Sequence, residues 1–584
     1  MPYPFNTMCR LRRHSLMIQA SEQSSADAAR QESPLKAFFR HPLAHAAMTL
    51  LGASCVLTVA TGDIGFQGDD WWVLSFPYWN AFPHSVAAYA RAASRPIEGV
   101  FWISLFEIFG MDRIPYLFAS LALNGLSSSL FALCLLRLAP ENPKLAIWGA
   151  LLSFFLPLNS PVVFVMHTDN SRLAMAFFWA AVLTAQTQSY GSPWRIALAS
   201  ACYLLSVLTY ENASLLIFAL PFFARPQHAG NTVQTRRIWT ETALIIVIGF
   251  LGFLALRFLL LSGGAVNHAS VVPSMALLLS YCSGLFPYLL APFKDVTRDV
   301  VSLVFGASVG CAAFALVKGA SFPKQPQKAL TNDHARSLMH VSAAGFAVFL
   351  LGITPYLLAG YSASFGFTGQ SRVYSSGSYG VAMILAALFS MNWSSPILRR
   401  VMNLVAALLL ALMAAFQCDL RRDWQIAAEI RRDLCESLLT VAGKVSDHTT
   451  LLFLDLQSYL GNRAVIFQGV DGLDQYVKML YNNKTLHAFF LYSRDADGPS
   501  SSERTAIITP EGVSARGSAP YGPAPLDSIL IFRCHGRELS LVESLSSDDA
   551  FVNARWVGVA AIASQTSRII SGDCEHAQVR RCLY

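Results

Sequence analysis

Charged side chains are scarce in this sequence: Asp, Glu, Lys and Arg make up 14% of its 584 residues, whereas hydrophobic residues make up 54%. A soluble globular domain carries about a quarter charged residues. The deficit is confined to residues 43–418, where long apolar runs alternate with short polar connectors. This distribution excludes a wholly soluble chain. It predicts a membrane domain followed by a water-exposed domain over residues 419–584.

A strong excess of charge of one sign is also absent. The net charge is +7, which is modest for a membrane protein, because such proteins collect Lys and Arg in their cytoplasmic loops. We therefore expect membrane lipids, and no nucleic acid, among the partners of the chain.

The N-terminal region lacks the pattern of a cleaved signal peptide. Residues 1–42 are polar and of low complexity, and the first apolar run begins only near Ala44. We expect residues 1–42 to form a disordered cytoplasmic tail. Arg40 and His41, directly before the first span, keep that tail inside under the positive-inside rule.

The apolar runs predict about eleven spans, since about 20 residues cross the hydrocarbon of a bilayer. The predicted spans are residues 43–62, 114–137, 145–166, 171–189, 195–210, 212–224, 238–262, 298–317, 338–360, 377–392 and 399–418. Residues 195–224 form two short spans in this scheme, because a single span would place Arg225, Arg236 and Arg237 outside. Residues 272–293 are apolar but broken by Pro and Gly, which favours a re-entrant or interfacial piece.

The charges of the connectors favour one orientation. Basic residues dominate the connectors assigned to the inside, and acidic residues gather in those assigned to the outside. We expect the protein to lie in a bacterial inner membrane. Eleven spans that start inside then place the C-terminal domain outside the cytoplasm. A full span at residues 272–293 would instead move that domain to the cytoplasm.

The C-terminal domain is predicted to be a small α/β domain that covers the outer cavity or selects the acceptor. Residues 419–443 have helical amphipathic spacing, and residues 450–456 and 528–532 have the pattern of buried strands. Residues 497–525 are rich in Pro, Gly and Ser and predict a long loop. Cysteines outside the membrane are permitted to form disulfides, and the closest pair in sequence is Cys574 and Cys582. The cysteine spacing matches no zinc pattern.

The first outer loop, residues 63–113, concentrates the candidate chemistry. It contains the adjacent carboxylates Asp69 and Asp70, then Arg95, and then a short apolar helix over residues 97–109 that we expect to lie along the membrane surface. The tryptophans of the loop, including Trp71 and Trp102, are expected at headgroup depth. The aspartates are either a solvated loop end or functional groups, since charge at that depth is costly unless it is used or paired.

Further polar residues fall in later outer connectors. They are His167, Asp169, Tyr210, Glu211 and Arg372. Asp169 has an alternative role as a helix cap, and Glu211 and His167 have alternative roles as interfacial residues. Residues 362–380, around Arg372, are rich in Gly and Ser, which is typical of a lid that moves.

The order of these elements resembles the GT-C superfamily of membrane glycosyltransferases. The similarity is to the protein mannosyltransferase and aminoarabinose transferase branch and to the GtrII-like glucosyltransferases. It covers most of residues 40–418. The segments that carry it are Gly68-Asp69-Asp70-Trp71-Trp72, Arg95-Pro96-Ile97-Glu98, Phe109-Gly110, His167-Thr168-Asp169-Asn170-Ser171-Arg172, Leu208-Thr209-Tyr210-Glu211-Asn212 and Gln370-Ser371-Arg372-Val373-Tyr374.

The resemblance implies a reaction at the outer face of the membrane. A sugar would pass, with inversion, from a polyprenyl phosphate donor to a lipid-linked glycan, a polysaccharide or a protein. Asp69 is the first candidate for the base that takes the acceptor proton, and Asp70 is the second. Arg372, followed by Arg95, would bind the donor phosphate.

The remaining candidates would bind substrate, and a metal is not required. They are Glu211, Tyr210, Asp169 and His167. A divalent metal is permitted, held by Asp69 and Asp70. Three alternatives stay open: an O-antigen-type polymerase or ligase with an arginine-rich catalytic loop, a lipid or glycan transporter, and a non-catalytic partner in glycan assembly. A transporter would show internal repeats and charges within its spans.

Overall fold

The computed structural model describes residues 64–542 with gaps. The residues left out within that range are 68, 160–169, 188–191, 225–231, 262–274, 295–298, 320–330, 360, 362–366, 368, 392, 394, 457–458, 461–462, 468, 492–505, 510–511 and 516–528. The predicted tail and the predicted first span, residues 1–62, therefore lie outside the described residues, as does the end of the chain.

The described chain is mostly helical with a small sheet. The helices are Asp70–Trp79, Phe82–Ala93, Pro96–Phe109, Arg113–Leu138, Pro143–Phe155, Asn170–Ala185, Pro193–Thr209, Leu220–Phe223, Thr232–Leu261, Met275–Lys294, Val300–Gly319, Thr331–Leu358, Ser378–Phe389, Pro396–Ala442 and Gly469–Leu480. Short 3₁₀ turns occupy Pro157–Asn159, Glu211–Ala213, Leu216–Ala219 and Gly369–Tyr374.

Five of the described helices contain segments long and apolar enough to cross a membrane: Arg113–Leu138, Thr235–Leu259, Val300–Lys318, Ala335–Leu358 and Pro396–Ala442. Each overlaps a predicted span. Four shorter apolar helical segments fall on further predicted spans: Pro143–Phe155, Pro193–Thr209, Glu211–Phe223 and Ser378–Phe389. The total of about eleven spans remains a prediction, and so does the membrane role of residues 272–293, whose described part lies in the continuous helix Met275–Lys294.

The segment predicted to form the first outer loop contains three consecutive helices, Asp70–Trp79, Phe82–Ala93 and Pro96–Phe109. Pro96 occupies the first turn of the third helix, where its missing N–H costs nothing. The short helix predicted at residues 97–109 is therefore present. Trp71 and Trp102 are 3% and 1% exposed and pack into the protein core. Their expected location at headgroup depth remains a prediction.

One continuous helix of 47 residues, Pro396–Ala442, contains the predicted span 399–418 and nearly all of the amphipathic helix predicted over residues 419–443. Ser395 caps its start by accepting a hydrogen bond from the backbone N–H of Leu398 at 3.3 Å. It ends at Gly443, whose φ of 57° is readily adopted by glycine. The described sequence between these points contains no glycine, so the change from apolar to amphipathic composition does not interrupt the helix.

The helix Val300–Gly319 packs closely on this long helix through two glycines. A Cβ at Gly310 would lie 2.9 Å from the carbonyl oxygen of Ala407, and a Cβ at Gly306 would press on the carbonyl oxygen of Ala411. The glycines are four residues apart, the small-residue spacing that lets two membrane helices approach each other closely.

The C-terminal region contains a four-stranded sheet. The strands of this sheet are β1 (Thr450–Leu454), β4 (His487–Leu491), β7 (Ile529–His535) and β8 (Glu538–Leu541). Strand β1 pairs in parallel with β4 and β7, and β7 pairs antiparallel with β8. The two strands expected from the sequence are therefore present and adjacent.

Two shorter strand pairs complete the described part of this region. They are β2 (Tyr459–Leu460) with β3 (Ala464–Val465), and β5 (Ala506–Thr509) with β6 (Gly512–Ala515). The β5–β6 hairpin lies inside residues 497–525, so the prediction of one long loop there is wrong. Cys435 and Cys534 are buried, and Cys574 and Cys582 lie outside the described residues.

Candidate functional site

Asp69 lies directly before the helix Asp70–Trp79. It faces Arg372, which lies much later in the sequence. Its backbone carbonyl accepts a hydrogen bond from Val73 N–H at 3.2 Å, which fixes it at the helix start. Its Oδ2 lies 3.9 Å from Arg372 Nη1, and the two side chains are 26% and 27% exposed. A carboxylate and a guanidinium are thus adjacent, accessible to solvent and not locked into a direct hydrogen bond at that distance.

Arg372 sits in the 3₁₀ turn Gly369–Tyr374, ahead of the helix Ser378–Phe389. Its Cζ lies 5.8 Å from the centre of the Tyr361 ring. Burial on its own would lower the pKa of Arg372, but the neighbouring Tyr210 and Asp69 raise it above its ordinary value. The group therefore remains a fixed cation. Of the predicted lid, residues 362–366 and 368 lie outside the described residues.

Arg95 forms a bidentate ion pair with Glu211. Its Nε and Nη2 donate to the two carboxylate oxygens of Glu211 at 2.9 Å and 2.7 Å, the strong parallel geometry of an arginine fork. Partial burial would raise the pKa of Glu211, but the charge and hydrogen bonds of Arg95 outweigh it and lower that pKa to about 2. The side chain of Glu211 stays 37% exposed, so it can still contact a substrate.

Tyrosines connect the two arginines. The Arg95 guanidinium stacks 4.3 Å above the centre of the Tyr210 ring, and the Tyr356 hydroxyl donates to the Tyr210 hydroxyl at 2.8 Å. The charge of Arg372 acts on this same Tyr210. Five of the predicted site residues therefore form one cluster: Asp69, Arg95, Tyr210, Glu211 and Arg372.

Two hydrogen bonds connect the part of the cluster around Glu211 with the part around Arg372. Asn212, next to Glu211, donates from Nδ2 to the Ser375 hydroxyl at 3.1 Å. The backbone N–H of Ser375 in turn bonds the carbonyl of Arg372 at 3.0 Å. The turn that carries Glu211 and the turn that carries Arg372 are therefore tied to each other.

Three residues of the cluster were missed by the sequence interpretation. The buried Glu98 places Oε2 3.7 Å from Arg95 Nη1, and it also acts on the buried Tyr89, whose pKa is raised by burial first and by Glu98 second. Tyr356 is the third. Glu98 could have been found from its position three residues after Arg95 on a helix. Tyr89 and Tyr356 carry no local signal, because only the tertiary fold brings them to the arginines.

Asp70 occupies a different environment from Asp69. It is fully buried, and its Oδ2 accepts a hydrogen bond from the backbone N–H of Gln67 at 2.9 Å. The two carboxylates thus take separate partners. Within the described ranges, no group of three or more His, Cys, Asp or Glu side chains is placed to hold a metal ion.

The remaining predicted residues, His167 and Asp169, lie outside the described residues. The described part of the helix that follows them is Asn170–Ala185. Arg172 is fully buried and donates to the Tyr379 hydroxyl at 2.9 Å. Tyr379 donates in turn to Ser127 at 2.7 Å, so Arg172 helps to hold three helices together.

No family model, curated protein or solved structure matches the chain.

Proposed function

We propose that the protein is an inverting membrane glycosyltransferase that uses a polyprenyl phosphate sugar as its donor. The acceptor is a lipid-linked glycan, a polysaccharide or a protein at the outer face of a bacterial inner membrane. The observation that carries the proposal is the contact of Asp69 with Arg372 at 3.9 Å. It supports the proposal because the carboxylate that we assign as the base lies beside the cation that we assign to the donor phosphate.

The chemistry assigns one task to each of these two side chains. Asp69 takes the proton of the acceptor hydroxyl as that oxygen forms its bond to the anomeric carbon of the donor. The bond from that carbon to the phosphate oxygen breaks, and the phosphate leaves with the electron pair. Arg372 neutralises the charge that develops on the phosphate. A phosphate is a good leaving group without a strong acid, so the scheme requires no metal.

The other residues of the cluster have supporting tasks. Arg95 remains the second candidate for the donor phosphate, but its fork is engaged by Glu211 at 2.7 Å and 2.9 Å. We therefore assign the phosphate to Arg372 first. Glu211 and Tyr210 bind hydroxyl groups of the sugar or the acceptor, and His167 and Asp169 are proposed to contribute to the same substrate site.

Asp70 becomes the less favoured base in this proposal. A general base must reach the acceptor hydroxyl directly or through one water. Asp69 is 26% exposed, whereas Asp70 is fully buried and bonds the backbone of Gln67.

The test is an Asp69→Asn variant in membranes supplied with a polyprenyl phosphate sugar. We expect transfer to fall by about 10²- to 10⁴-fold, the usual contribution of a general base, with normal expression. The matched control is Glu107→Gln, which makes the same change at an exposed carboxylate of the same loop and should keep full activity. Full activity in both Asp69→Asn and Asp70→Asn would contradict the assignment of the base.

The same assay separates transfer from transport. A glycosyltransferase releases polyprenyl phosphate in step with sugar transfer, whereas a transporter moves the intact donor and breaks no bond. Movement of the donor without release of polyprenyl phosphate would overturn the proposed function.

A further inference from the structure

Gln67, in the segment before Asp69, bonds the start of the helix that follows. Gln67 is fully buried, and its backbone carbonyl accepts a hydrogen bond from Asp70 N–H at 2.7 Å. Its backbone N–H donates to Asp70 Oδ2 at 2.9 Å. The position of Gln67 therefore fixes the start of the helix from which Asp69 projects.

The side chain of Gln67 is bound by an arginine from the far end of the chain. Arg431 lies in the outer part of the helix Pro396–Ala442 and is 4% exposed. Its Nη1 donates to Gln67 Oε1 at 2.7 Å and to the backbone carbonyl of Ile466 at 3.0 Å. One guanidinium thus joins the first outer loop, the long helix and the segment that follows β3.

The fit around this guanidinium is close. Gly65 has a φ of +64°, and a Cβ there would lie 2.9 Å from Arg431 Nη2. The carbonyl of Gly65 also accepts a hydrogen bond from Arg113 Nε at 3.0 Å. Two arginines therefore border the backbone at Gly65, which leaves the segment before Asp69 little room to move.

A second contact fastens the helix that follows Asp69 to the C-terminal region. Trp71 packs edge-on against Tyr476 of the helix Gly469–Leu480, with ring centres 4.5 Å apart. Tyr476 is itself fixed by a hydrogen bond from Cys435 Sγ at 2.6 Å. Cys435 lies four residues after Arg431 on the long helix, so both contacts begin on the same helical face.

We propose that Arg431 is a positioning residue, through which the long helix and the C-terminal region set the location of Asp69 opposite Arg372. The assignment of a catalytic consequence rests on the proposed function, in which Asp69 is the base. The mechanical link, by which we mean the contacts of Arg431 with Gln67 and Ile466, does not rest on the proposed function. These contacts exist whatever reaction the site performs.

The first experiment measures the link without using activity. In purified Arg431→Met protein, hydrogen exchange of the backbone amides of residues 64–75 should become at least about tenfold faster, because a local opening then breaks fewer contacts. The control is Arg432→Met, at the neighbouring exposed position, which should leave exchange in residues 64–75 unchanged. Unchanged exchange in Arg431→Met overturns the proposal.

The second experiment measures the catalytic consequence. Arg431→Met should lower kcat for sugar transfer by about 10- to 100-fold with little change in KM, as expected when a reacting group is displaced by about 1 Å. Arg431→Lys keeps a cationic donor and should recover part of kcat. A change confined to KM, or equal loss in the lysine variant, would show that Arg431 does not position the base.

Combined variants keep the proposal testable if Arg431→Met folds poorly. Gln67→Met removes the acceptor and retains the size of the side chain, so it should reproduce the faster exchange at residues 64–75. The loss in the double variant should be smaller than the sum of the two single losses, because the two side chains share one interaction. Additive losses would overturn the link. Faster exchange together with a fully active Asp69→Asn enzyme would keep the link and overturn the proposed function.

Discussion

At the scale of single residues, neighbouring carboxylates acquire different tasks. Asp69 and Asp70 are chemically identical and adjacent, yet one faces Arg372 at the surface and the other is fully buried. Successive residues on a helix point about 100° apart, since 3.6 residues make one turn. A sequence motif identifies the pair, but only the tertiary fold decides which member reaches a substrate.

The ion pair of Glu211 with Arg95 predicts a specific dependence of stability on pH. The pKa of Glu211 is lowered from 4.5 to about 2. A carboxylate whose pKa is lowered on folding contributes its full stabilisation above its unfolded pKa, and this contribution is lost as pH falls through the folded value. The stabilisation from Glu211 should therefore be complete above about pH 4.5 and fade between pH 4.5 and pH 2.

Glu211→Gln tests this dependence. The difference in unfolding midpoint between wild type and variant, measured by thermal unfolding in detergent, should be constant at neutral pH and shrink as pH falls below 4.5. The difference should be small, because a partly exposed ion pair is screened by solvent. Glu107→Gln serves as the exposed control. Two curves that remain parallel down to pH 2 would show that Arg95 does not lower the pKa of Glu211.

The site shows what residue patterns alone can and cannot reveal. Asp69, Arg95, Tyr210, Glu211 and Arg372 were predicted from their sidedness and order, and the structure brings all five together. Glu98, Tyr89 and Tyr356 were missed. Glu98 lies only three residues after Arg95 and was overlooked, whereas the buried Tyr89 and Tyr356 lie on other helices and only the tertiary fold brings them to the cluster.

At the scale of elements, the apolar runs predicted the long helices well. The helices Arg113–Leu138, Thr232–Leu261, Val300–Gly319 and Thr331–Leu358 begin and end within a few residues of the predicted spans, apart from the polar extensions of Thr232–Leu261 and Thr331–Leu358. The bilayer explains this success, because it demands both a minimum length and internal hydrogen bonding of every backbone group. The bilayer does not determine the direction in which an aromatic side chain points from its helix. The burial of Trp71 and Trp102 could therefore not be predicted from composition.

The packing of Val300–Gly319 on the long helix leads to an element-scale prediction. Gly310→Ala should destabilise the protein by about 1–3 kcal/mol, because a methyl group there overpacks a contact with no free space. The contact in question is the 2.9 Å approach to the Ala407 carbonyl. The loss should appear as a lower midpoint of thermal inactivation in detergent.

Gly125→Ala is the matched control for this substitution. Gly125 is also a helical glycine in a predicted span, but a Cβ there meets no atom within 4 Å. Alanine favours a helix more than glycine does, so Gly125→Ala should be neutral or slightly stabilising. Equal effects of the two substitutions would show that the helices do not depend on close approach at Gly310.

At the scale of the whole molecule, the predicted topology places the cluster and the C-terminal region on the same side of the membrane. A reporter enzyme that folds only outside the cytoplasm should be active when fused after Tyr584, because eleven spans from an inside start end outside. The same reporter fused after Lys324, in a basic connector, should be inactive. The reverse pattern would contradict the predicted topology, because it requires either an additional span before Lys324 or an N-terminus outside the cytoplasm.

The long helix Pro396–Ala442 has a consequence for how the protein responds to its surroundings. A helix of 47 residues is about 70 Å long at 1.5 Å per residue, and the hydrocarbon of a bilayer takes up only about 30 Å of that length. We expect one part of the helix to lie in lipid, while the part that carries Arg431 lies beside Gln67. A thicker or thinner bilayer should change the tilt of the part in lipid, and the contact of Arg431 with Gln67 should transmit that change to the segment before Asp69. On the proposed role of Arg431, we therefore expect the geometry of Asp69 to depend on bilayer thickness.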